Sequence, residues 1–558
     1  MDNYAIADQF SLLAKLMDIH GENGFRAKSY ASAAYNIEQL TAPLISTERS
    51  LMADMKGIGE STAKKIAEIL DTGHMKALED IISKTPSGVI AMLEVKGLGP
   101  KKISTIWKEM GIESIGELLY ACQENRLLLY KGFGAKTQQN VKEAIEFLLR
   151  HQDRFLYAEL ESLVQELAAR LQAVWPAHRS EPTGAFRRQC PEMDRIEFVS
   201  TIPLAELEIR LNTGEGEHFR QIGQDQLEWK RDQQPLVVFY HAPGSSFGTC
   251  LFKTSASAEF LEGWKSAGFG EPDSEDESEI FHQAGMITIP ACLRETAGVI
   301  VQAGQGKIPT LIVPEDIRGI IHTHSNWSDG SHTLDEMAAG CIAKGYEYLV
   351  ISDHSRAAQY AGGLSIERIR EQHAAIDALN KKLAPFRIFK SIECDILGDG
   401  SLDYPDEVLE SFDLVIASVH SNLKMSEEKA MTRLMRAIEH PSTTILGHPT
   451  GRLLLSRPGY PVDHLQIIEA CAKHGVAIEI NAHPRRLDLD WTWIPMAMEK
   501  GVMLSVDPDA HAVDAFGDVR YGVLAAQKGG LTADFNLSSL TLDGFTDWLD
   551  NRKSSRKS

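Results

Sequence analysis

Gly319-Ile-Ile-His322-Thr-His324 is a short apolar run that ends in two histidines. Helix-length amphipathic segments, such as 366–383 and 427–440, separate it from later runs of the same kind. The pattern therefore predicts repeated βα units, and a parallel barrel would bring the carboxyl ends of all its strands to one face. The six later runs read Tyr348-Leu-Val-Ile-Ser-Asp353-His354, Phe389-Lys-Ser-Ile-Glu393, Leu414-Val-Ile-Ala-Ser-Val-His420, Thr444-Ile-Leu-Gly-His448, Ala477-Ile-Glu-Ile-Asn481-Ala-His483 and Met503-Leu-Ser-Val-Asp-Pro-Asp509-Ala-His511.

Nine side chains at these strand ends form a predicted metal site. A lone histidine at a strand end is often only structural, but nine metal-ligand residues in register on six strands indicate a site for more than one ion. The nine are His322, His324, Asp329, His354, Glu393, His420, His448, Asp509 and His511.

Other polar residues of the same region are interpreted differently. Asp353 and His483 flank ligand positions and are expected to orient the ligands. Asp395 and Asp507 are expected to be solvated loop carboxylates. Five histidines lie outside the strand-end pattern and are expected to be surface or packing residues: His332, His373, His440, His464 and His474.

The composition is that of an ordinary globular protein of three or four domains. The chain has 558 residues, of which 43% are hydrophobic and 24% charged. It has no basic segment followed by an apolar core at its N-terminus and no apolar run of about 18 residues. Seven scattered cysteines without a CxxC pair favour reduced thiols. We therefore expect a cytoplasmic protein with no membrane partner.

The net charge of −21 is unevenly distributed. Residues 1–150 carry 18 Lys and Arg against 19 Asp and Glu, a net charge of −1, so −20 falls on the rest of the chain. Nucleic-acid binding must therefore come from local motifs. Bound cations would offset a part of the negative charge on the rest of the chain.

A Lys-Gly-apolar-Gly unit occurs three times in the first 150 residues. Glycines allow a tight hairpin between two helices, whose backbone N–H groups, helix N-terminus and lysines then face a phosphate. The units predict sequence-independent DNA binding by helix-hairpin-helix motifs. They read Met55-Lys56-Gly57-Ile-Gly59-Glu-Ser-Thr-Ala-Lys64-Lys65, Val95-Lys96-Gly97-Leu-Gly99-Pro-Lys101 and Tyr130-Lys131-Gly132-Phe-Gly134-Ala-Lys136.

Both ends of the chain resemble bacterial family X DNA polymerases. The stretch Asn23-Gly-Phe-Arg-Ala-Lys-Ser-Tyr and the three hairpins resemble their lyase and fingers regions. Three C-terminal segments resemble their polymerase-and-histidinol-phosphatase (PHP) domain: Asp316-Ile-Arg-Gly-Ile-Ile-His-Thr-His, Gly447-His-Pro-Thr-Gly-Arg452 and Glu479-Ile-Asn-Ala-His-Pro-Arg-Arg-Leu-Asp-Leu.

The resemblance implies a multidomain fold. It has an α-helical N-terminus with helix-hairpin-helix motifs, an α+β polymerase-like palm and thumb, and a distorted TIM-like (β/α)7 PHP barrel. The expected domains are a lyase-like domain at 1–90, a fingers-like hairpin pair at 91–150, a degenerate palm at 151–265, a thumb-like region at 266–312 and the PHP domain at 313–558.

The palm departs from the family pattern. Family X palms carry Gly-Ser-x-Arg-Arg, then Asp-x-Asp, then a third Asp, which hold two magnesium ions. The first element here is Gly184-Ala185-Phe-Arg187-Arg188. The three carboxylate positions then hold Arg195, Glu197 and Val238, and the later nucleotide motif is reduced to Thr254-Ser-Ala with Glu259-Phe260. A register shift would bring in Asp194 without completing the set. We predict a palm that is present in fold and inactive in polymerisation.

The lyase region allows two interpretations. Lys65 matches the family's Schiff-base lysine, and Lys64 beside it would lower its pKa. Alternatively, both lysines contact DNA phosphates from the second helix of the hairpin.

The resemblance also assigns the metal ligands. It implies a first metal on His322, His324, Glu393 and Asp509, a second on Glu393, His420 and His448, and a third on Asp329, His354 and His511. Imidazole-rich ligation favours Mn²⁺, with Zn²⁺ and Fe²⁺ as alternatives. Glu393 and Asp509 are the expected catalytic carboxylates. Four arginines beyond strand ends are candidate phosphate clamps, Arg452 and Arg485 ahead of Arg356 and Arg486.

The expected function is that of a DNA-repair nuclease. The barrel would hydrolyse phosphodiesters from 3′ ends, with abasic-site or 3′-phosphate processing at the same metals, on gapped, nicked or 3′-ended DNA and without an obligate protein partner. Three alternatives remain: a gap-filling polymerase with proofreading, a histidinol-phosphatase-like small-molecule phosphatase, and a non-enzymatic DNA scaffold.

Overall fold

A computed structural model describes residues 2–40, 42–55, 58–123, 126–150, 154–212, 217–231, 234–455 and 458–555. The chain divides into two compact units, Met1–Gln152 and Asp153–Ser558, hereafter the N-terminal and C-terminal units. Each unit has hydrophobic clusters of its own. None of the described helices is both long and apolar enough to cross a membrane.

The described part of the N-terminal unit is helical, as the sequence predicts. The Asp2 side chain accepts the Ala5 N–H at 2.8 Å and begins the first helix, and Gly21 ends it in the left-handed conformation. Apolar residues at helical spacing, such as Ile6, Phe10 and Leu13, are buried in one core. The helices are α1 (Asn3–His20), α2 (Gly24–Glu38), α3 (Glu60–Thr72), α4 (Lys76–Ile82), α5 (Ser87–Ala91), α6 (Pro100–Lys108), α7 (Ile115–Gln123) and α8 (Ala135–Arg150).

The C-terminal unit begins with an α+β region around a five-stranded mixed sheet. Its elements are β1 (Phe155–Leu156), α9 (Tyr157–Val174), β2 (Ser180–Thr183), α10 (Gly184–Arg187), β3 (Glu192–Met193), β4 (Arg195–Ser200), α11 (Leu204–Leu211), β5 (Glu217–Ile222), β6 (Gln226–Arg231) and β7 (Leu236–His241). The sheet order is β2-β4-β7-β6-β5, and β4 runs parallel to β7. Alternate residues such as Ile196 and Phe198 face the core, so the opposite face carries the polar residues.

A helical segment follows the sheet. It comprises α12 (Phe247–Thr254), α13 (Ala258–Ser266), α14 (Glu277–Gln283) and α15 (Gly298–Gly304). Trp264 is fully buried against the rings of Phe252, Phe260 and Phe281. This aromatic cluster holds the segment together.

The rest of the unit is a barrel of seven parallel strands. Its elements are β8 (Gly319–Thr323), α16 (Leu334–Ala343), β9 (Tyr348–Ile351), α17 (Ile366–Leu383), β10 (Arg387–Asp395), α18 (Asp406–Leu409), β11 (Leu414–Ser418), α19 (Glu427–Glu439), β12 (Ile445–Leu446), α20 (His464–His474), β13 (Ala477–Asn481), α21 (Ile494–Glu499), β14 (Leu504–Asp507), α22 (Val519–Lys528) and α23 (Leu542–Ser555). Sequential strands are neighbours from β8 to β14. Ala510 closes the barrel. Its N–H donates to His322 O at 3.1 Å, and its carbonyl accepts the His324 N–H at 2.8 Å. The predicted TIM-like (β/α)7 fold is confirmed.

Buried charges join the barrel to the α+β region. Lys528, at the end of α22, is 1% exposed and donates to Glu295 Oε1 at 2.5 Å and to Arg188 O at 2.9 Å. Glu161 of α9 accepts hydrogen bonds from Arg520 and from the Tyr521 hydroxyl. Each of these carboxylates is largely shielded from water and has a cationic partner, as burial of a charge requires.

Candidate functional site

The nine predicted metal-ligand residues lie together at the carboxyl ends of the barrel strands. Glu393, near the end of β10, is the central residue and is almost completely buried. Its carboxylate faces five imidazoles. The distances are 3.3 Å to His322 Nε2, 3.7 Å to His324 Nε2, 2.9 Å to His354 Nδ1, 3.0 Å to His420 Nε2 and 3.0 Å to His448 Nε2.

Three overlapping groups within this cluster have the geometry to hold a metal ion. They are His322, His324 and Asp509; His354, Glu393 and His420; and His324, Asp329, His354 and His511. The first group contains three of the four residues that the resemblance implies for the first metal and lacks Glu393. The third group contains the three residues implied for the third metal and adds His324. In the second group His354 stands where the resemblance places His448, although His448 Nε2 also lies against Glu393.

A buried nitrogen at the centre supports a cation site. His322 Nε2 has no hydrogen-bond partner among the described residues. Yet Glu393 Oε1 faces it at 3.3 Å and Asp509 Oδ1 at 3.6 Å. A shared cation would satisfy the nitrogen and both carboxylates together, and the mixed nitrogen and oxygen donors suit a divalent transition metal.

Unusual backbone conformations orient three of these candidate ligands. His322, His448 and Asp509 have φ values of 60°, 20° and 52°, which non-glycine residues rarely adopt. His322 also lies where the pairing of β8 with β9 shifts register between Ile320 and Thr323. His322 in β8 and His324 directly after it thus reach one site through an irregularity in strand pairing rather than through regular alternation. Such backbone conformations cluster at functional sites.

Electrostatics link the carboxylates to the imidazoles. Burial alone would lower the pKa values of His354 and His420, but the Glu393 carboxylate and its neighbours raise them to about 10 and about 9. Burial, with the nearby His511 ring, lowers the pKa of His324 to about 3. Protonated imidazoles thus balance the buried carboxylates, and a divalent cation that enters would release these protons.

Glu479 is an acidic residue that the sequence analysis missed. Its buried carboxylate accepts hydrogen bonds from His322 Nδ1 and from the backbone N–H of His448. The available signal was a glutamate inside the apolar run of β13, because strands of a parallel barrel are buried on both faces and a charge there needs a partner.

The prediction that Asp395 and Asp507 are solvated was wrong. Both are buried. Asp395 Oδ1 lies 3.2 Å from His420 Nδ1, and burial beside Glu479 raises the pKa of Asp507. Both residues end strands of the barrel, so their side chains point into it rather than into loops.

Asp353 and His483 accept hydrogen bonds from loop residues next to the cluster. Asp353 accepts the N–H and hydroxyl of Ser325 at 2.8 and 2.7 Å, and it also accepts hydrogen bonds from Ser328. It thereby fixes the loop that carries Asp329. His483 Nδ1 accepts the Arg485 N–H at 3.2 Å. None of the five histidines assigned to surface or packing positions belongs to the metal groups found among the described residues.

The four arginines have different surroundings. Arg452 donates to Asp490 at 2.5 Å, to Arg486 O at 2.9 Å and to Leu487 O, so it cross-links two loops. Arg485 pairs with Glu159 of α9 at 2.9 Å, and Arg356 pairs with Asp403 at 3.1 Å. Arg486 is the one whose Nε faces a candidate ligand, Asp509 Oδ2, at 3.8 Å.

The hairpins repeat one backbone geometry. The N–H of the apolar residue between the glycines donates three residues back, from Ile58 to Met55 O, from Leu98 to Val95 O and from Phe133 to Tyr130 O, at 3.0 to 3.2 Å. These three apolar side chains are buried, whereas Lys96 and Lys131 are exposed. The left-handed φ values of Gly97 and Gly132, 92° and 98°, make the turn possible.

The predicted DNA-binding residues surround these turns. Helices α3, α6 and α8 begin directly after Gly59, Gly99 and Gly134. Lys64, Lys101 and Lys136 are exposed on these helices. Lys65 is half-buried and lies 5.8 Å from the ring centroid of Tyr30. Lys56 and Gly57 lie outside the described residues.

The α+β region places the three palm positions side by side. Glu197 of β4 is paired with Val238 of β7, and Arg195 lies two residues before Glu197 on the same strand. Glu197 accepts the Tyr240 hydroxyl at 2.8 Å, and Arg195 pairs with Asp194 at 2.7 Å. The positions converge as a palm requires but do not carry three carboxylates.

A known protein resembles the chain over nearly all its length. The DNA polymerase/3′-5′ exonuclease PolX of Bacillus subtilis (strain 168) is 32% identical over 541 residues, covering 93% of this chain and 94% of that protein. The chain belongs to the bacterial PolX family. The PolX assignment agrees with two family models, a helix-hairpin-helix domain at residues 1–75 and a SAM-like helix-hairpin-helix tandem at residues 89–146.

Two more distant relatives match parts of this PolX-family chain. A probable phosphatase of Thermoanaerobacter sp. (strain X514) is 27% identical over 233 residues, 39% of this chain and 90% of the phosphatase. DNA polymerase lambda of Rattus norvegicus is 28% identical over 203 residues, 34% of this chain and 31% of the polymerase. The resemblance to family X polymerases with a PHP domain is thus confirmed.

Proposed function

We propose that this PolX-family protein is a DNA-repair metallonuclease that degrades DNA from 3′ ends at the barrel site. The observation that carries the proposal is the cluster of nine candidate metal ligands with Glu393 at its centre. The B. subtilis relative is named as a 3′-5′ exonuclease as well as a polymerase. Processing of abasic sites and of 3′-phosphates at the same centre belongs to the proposal, as does a cytoplasmic, nucleoid-associated location.

The residues of the cluster suit phosphodiester hydrolysis. Divalent ions held there, up to three and Mn²⁺ before Zn²⁺ or Fe²⁺, would neutralise phosphoryl oxygens and supply a water nucleophile near neutral pH. Glu393 and Asp509 would fix the charge and spacing of the centre. His354 and His511 lie 3.5 and 3.4 Å from Asp329. They would complete the metal centre at its edge nearer to solvent.

Arg486 is our candidate for the substrate phosphate. Its guanidinium faces Asp509 at 3.8 Å and is partly exposed, so it can turn to a phosphate beside the cluster. Arg452 would instead position the loop of Arg486, since its hydrogen bonds already join the two loops. Arg485 would have to break its ion pair with Glu159 before it could bind the phosphate.

The proposal is tested with the purified full-length protein, Mn²⁺ and a 5′-labelled DNA strand. We expect progressive shortening from the 3′ end that EDTA stops and added Mn²⁺ restores. The small-molecule alternative, which the phosphatase relatives suggest, is tested in parallel with histidinol phosphate. Hydrolysis of histidinol phosphate with intact DNA would overturn the nuclease assignment in favour of that alternative.

We predict that the palm does not polymerise DNA. Arg195 adds a positive charge where a Mg²⁺ ligand is needed, and Val238 offers no ligand. Arg187 and Arg188 of the first palm element are already paired with Glu277 and Glu295. A primed template with dNTPs and Mg²⁺ or Mn²⁺ should show no extension by a variant that lacks the exonuclease, His322→Ala with His324→Ala. Template-dependent extension by this variant would show that the palm positions are misaligned.

We predict that the hairpin lysines carry the DNA affinity. Replacing Lys56, Lys96 and Lys131 with alanine should weaken binding equally for unrelated DNA sequences. The plot of the logarithm of the binding constant against the logarithm of the salt concentration should become less steep. Its slope should fall by up to about one unit for each phosphate that no longer has a lysine beside it. Fluorescence anisotropy at several salt concentrations measures both quantities.

A triple variant elsewhere in the N-terminal unit is the matched control. Lys15, Lys76 and Lys84 are exposed and lie outside the hairpin turns, so their replacement by alanine removes the same charge. The control should keep most of the affinity. Equal losses in both triple variants would mean that net charge, and not the hairpin, binds the DNA.

The domain division is also part of the proposal. We assign residues 1–90 and 91–150 to DNA binding, 151–265 and 266–312 to a structural palm and thumb, and 313–558 to hydrolysis. The palm would then serve as a structural clamp.

A further inference from the structure

The carboxylate of Glu479 connects candidate ligands that belong to different metal positions. It is completely buried in the barrel, on β13. Oε1 accepts a hydrogen bond from His322 Nδ1, and Oε2 accepts the backbone N–H of His448 at 2.5 Å. Asn481 Nδ2 lies 3.3 Å from Oε2 and 3.1 Å from Asp509 Oδ2. One side chain thus reaches His322 and His448 directly and Asp509 through an amide.

We propose that Glu479 is a positioning residue that supports two metal positions at once, through the ring of His322 and the backbone of His448. The inference rests on the metal centre of the proposed function. It adds a residue outside the candidate ligand groups and a coupling between two of the ions.

The first contact fixes the tautomer of His322. A carboxylate accepts hydrogen bonds, so the Nδ1 that faces Glu479 carries the proton. Nε2 then has a free lone pair on the side of Glu393 and Asp509, where an ion would lie. Carboxylate partners of this kind orient ligating histidines and raise their basicity.

The second contact holds the backbone of His448. With a φ of 20°, His448 lies outside the conformations that side-chain-bearing residues prefer, and such conformations persist only where surrounding contacts enforce them. Glu479 Oε2 supplies one such contact. The His448 ring is thereby presented to Glu393, with Nε2 3.0 Å from Oε1.

An amide cannot replace this carboxylate. The backbone N–H of His448 can only donate a hydrogen bond. In Glu479→Gln the new amide oxygen must therefore face this N–H as its acceptor. The amide NH₂ group then faces His322 Nδ1, which must become an acceptor. The His322 proton moves to Nε2, the nitrogen that the metal needs.

Asp395 provides a matched control for the same chemical change. Its Oδ1 lies 3.2 Å from His420 Nδ1, and its Oδ2 accepts the Ser355 hydroxyl at 3.3 Å. A hydroxyl can either donate or accept a hydrogen bond, so the Ser355 hydroxyl can accept one from the new amide NH₂ group. In Asp395→Asn the amide oxygen therefore keeps the His420 bond, and we expect the smaller loss of the two.

The test compares the full-length parent, Glu479→Gln and Asp395→Asn after removal of metal with EDTA. Bound Mn²⁺ is counted by mass spectrometry and its affinity measured by calorimetric titration. Glu479→Gln should bind Mn²⁺ about 10- to 100-fold more weakly, with an unchanged metal-free Tm and with exonuclease activity restored by excess Mn²⁺. Glu479→Asp, which keeps the charge but is one methylene shorter, should show the same loss and serves if the glutamine variant does not fold.

Three outcomes would overturn the inference. Parental affinity and metal count in Glu479→Gln and Glu479→Asp would show that Glu479 positions nothing. A lowered metal-free Tm with parental affinity would show a purely structural role. Absence of Mn²⁺ from the parent itself would remove the proposed metal centre and this inference with it, which distinguishes the two failures.

Discussion

Glu393→Ala should abolish the degradation of a 3′-ended strand in Mn²⁺, with a loss on the order of 10³-fold or more in rate. Glu393 faces five imidazoles at 2.9 to 3.7 Å. Its removal would therefore take an oxygen ligand from more than one of the proposed ions, and it would leave the surrounding histidines without their shared negative charge. Degradation of a labelled strand is measured together with the number of Mn²⁺ ions bound.

His332→Ala is the control for this change. His332 lies in the loop of Asp329 but outside the three metal groups, so its loss should leave both the rate and the metal count near those of the parent. If Glu393→Ala digests DNA at the parental rate and keeps its metal, the barrel is not the nuclease.

Glu277→Ala should lower the free energy of unfolding of the C-terminal unit by about 3–5 kcal/mol. The Glu277 carboxylate pairs with Arg187 and with Arg294 Nη1 at 2.8 Å. Arg294 is 1% exposed, so the variant would leave a buried guanidinium without its carboxylate. Urea denaturation followed by tryptophan fluorescence measures the loss, because Trp264 lies in the same buried helical segment.

The same variant should lose part of the acid sensitivity of the protein. Burial alone would raise the pKa of Glu277, but Arg187 and Arg294 lower it from 4.5 to about 2. The stabilisation is therefore complete above about pH 4.5 and is lost as the pH falls towards about 2. Glu262→Ala, an exposed change on α13, should alter stability by no more than about 0.5 kcal/mol. A similar loss in both variants would contradict a specific role for the Glu277 pairs.

The barrel and the convergence of its strand ends could be predicted from the sequence because both depend on local periodicity. Each strand is a short apolar run, and His354, His420 and His448 follow three of them within three residues. Parallel strands bring such positions to one face whatever the loops between them do. The hairpins were predictable for the same reason, since each is a local glycine-dependent turn.

The supporting contacts could not be predicted because they depend on where side chains from distant strands meet. His322 and Glu479 are 157 residues apart in sequence. Asp395 and Asp507 read as the first residues of loops, whereas the barrel strands continue through them. The loops of Arg452 and Arg486 are joined by hydrogen bonds to backbone carbonyls, which no sequence pattern marks.

Lys528 connects the barrel to earlier parts of the C-terminal unit. Its ammonium group ends α22 of the barrel, yet both acceptors, Glu295 and the carbonyl of Arg188, come from earlier parts of the chain. A fragment cut at residue 313 would lose both acceptors of this ammonium group, expose the surface they cover and take from Arg520 its carboxylate. If the barrel is the proposed nuclease, a fragment that keeps these contacts would begin near residue 154 and would contain the palm region as well.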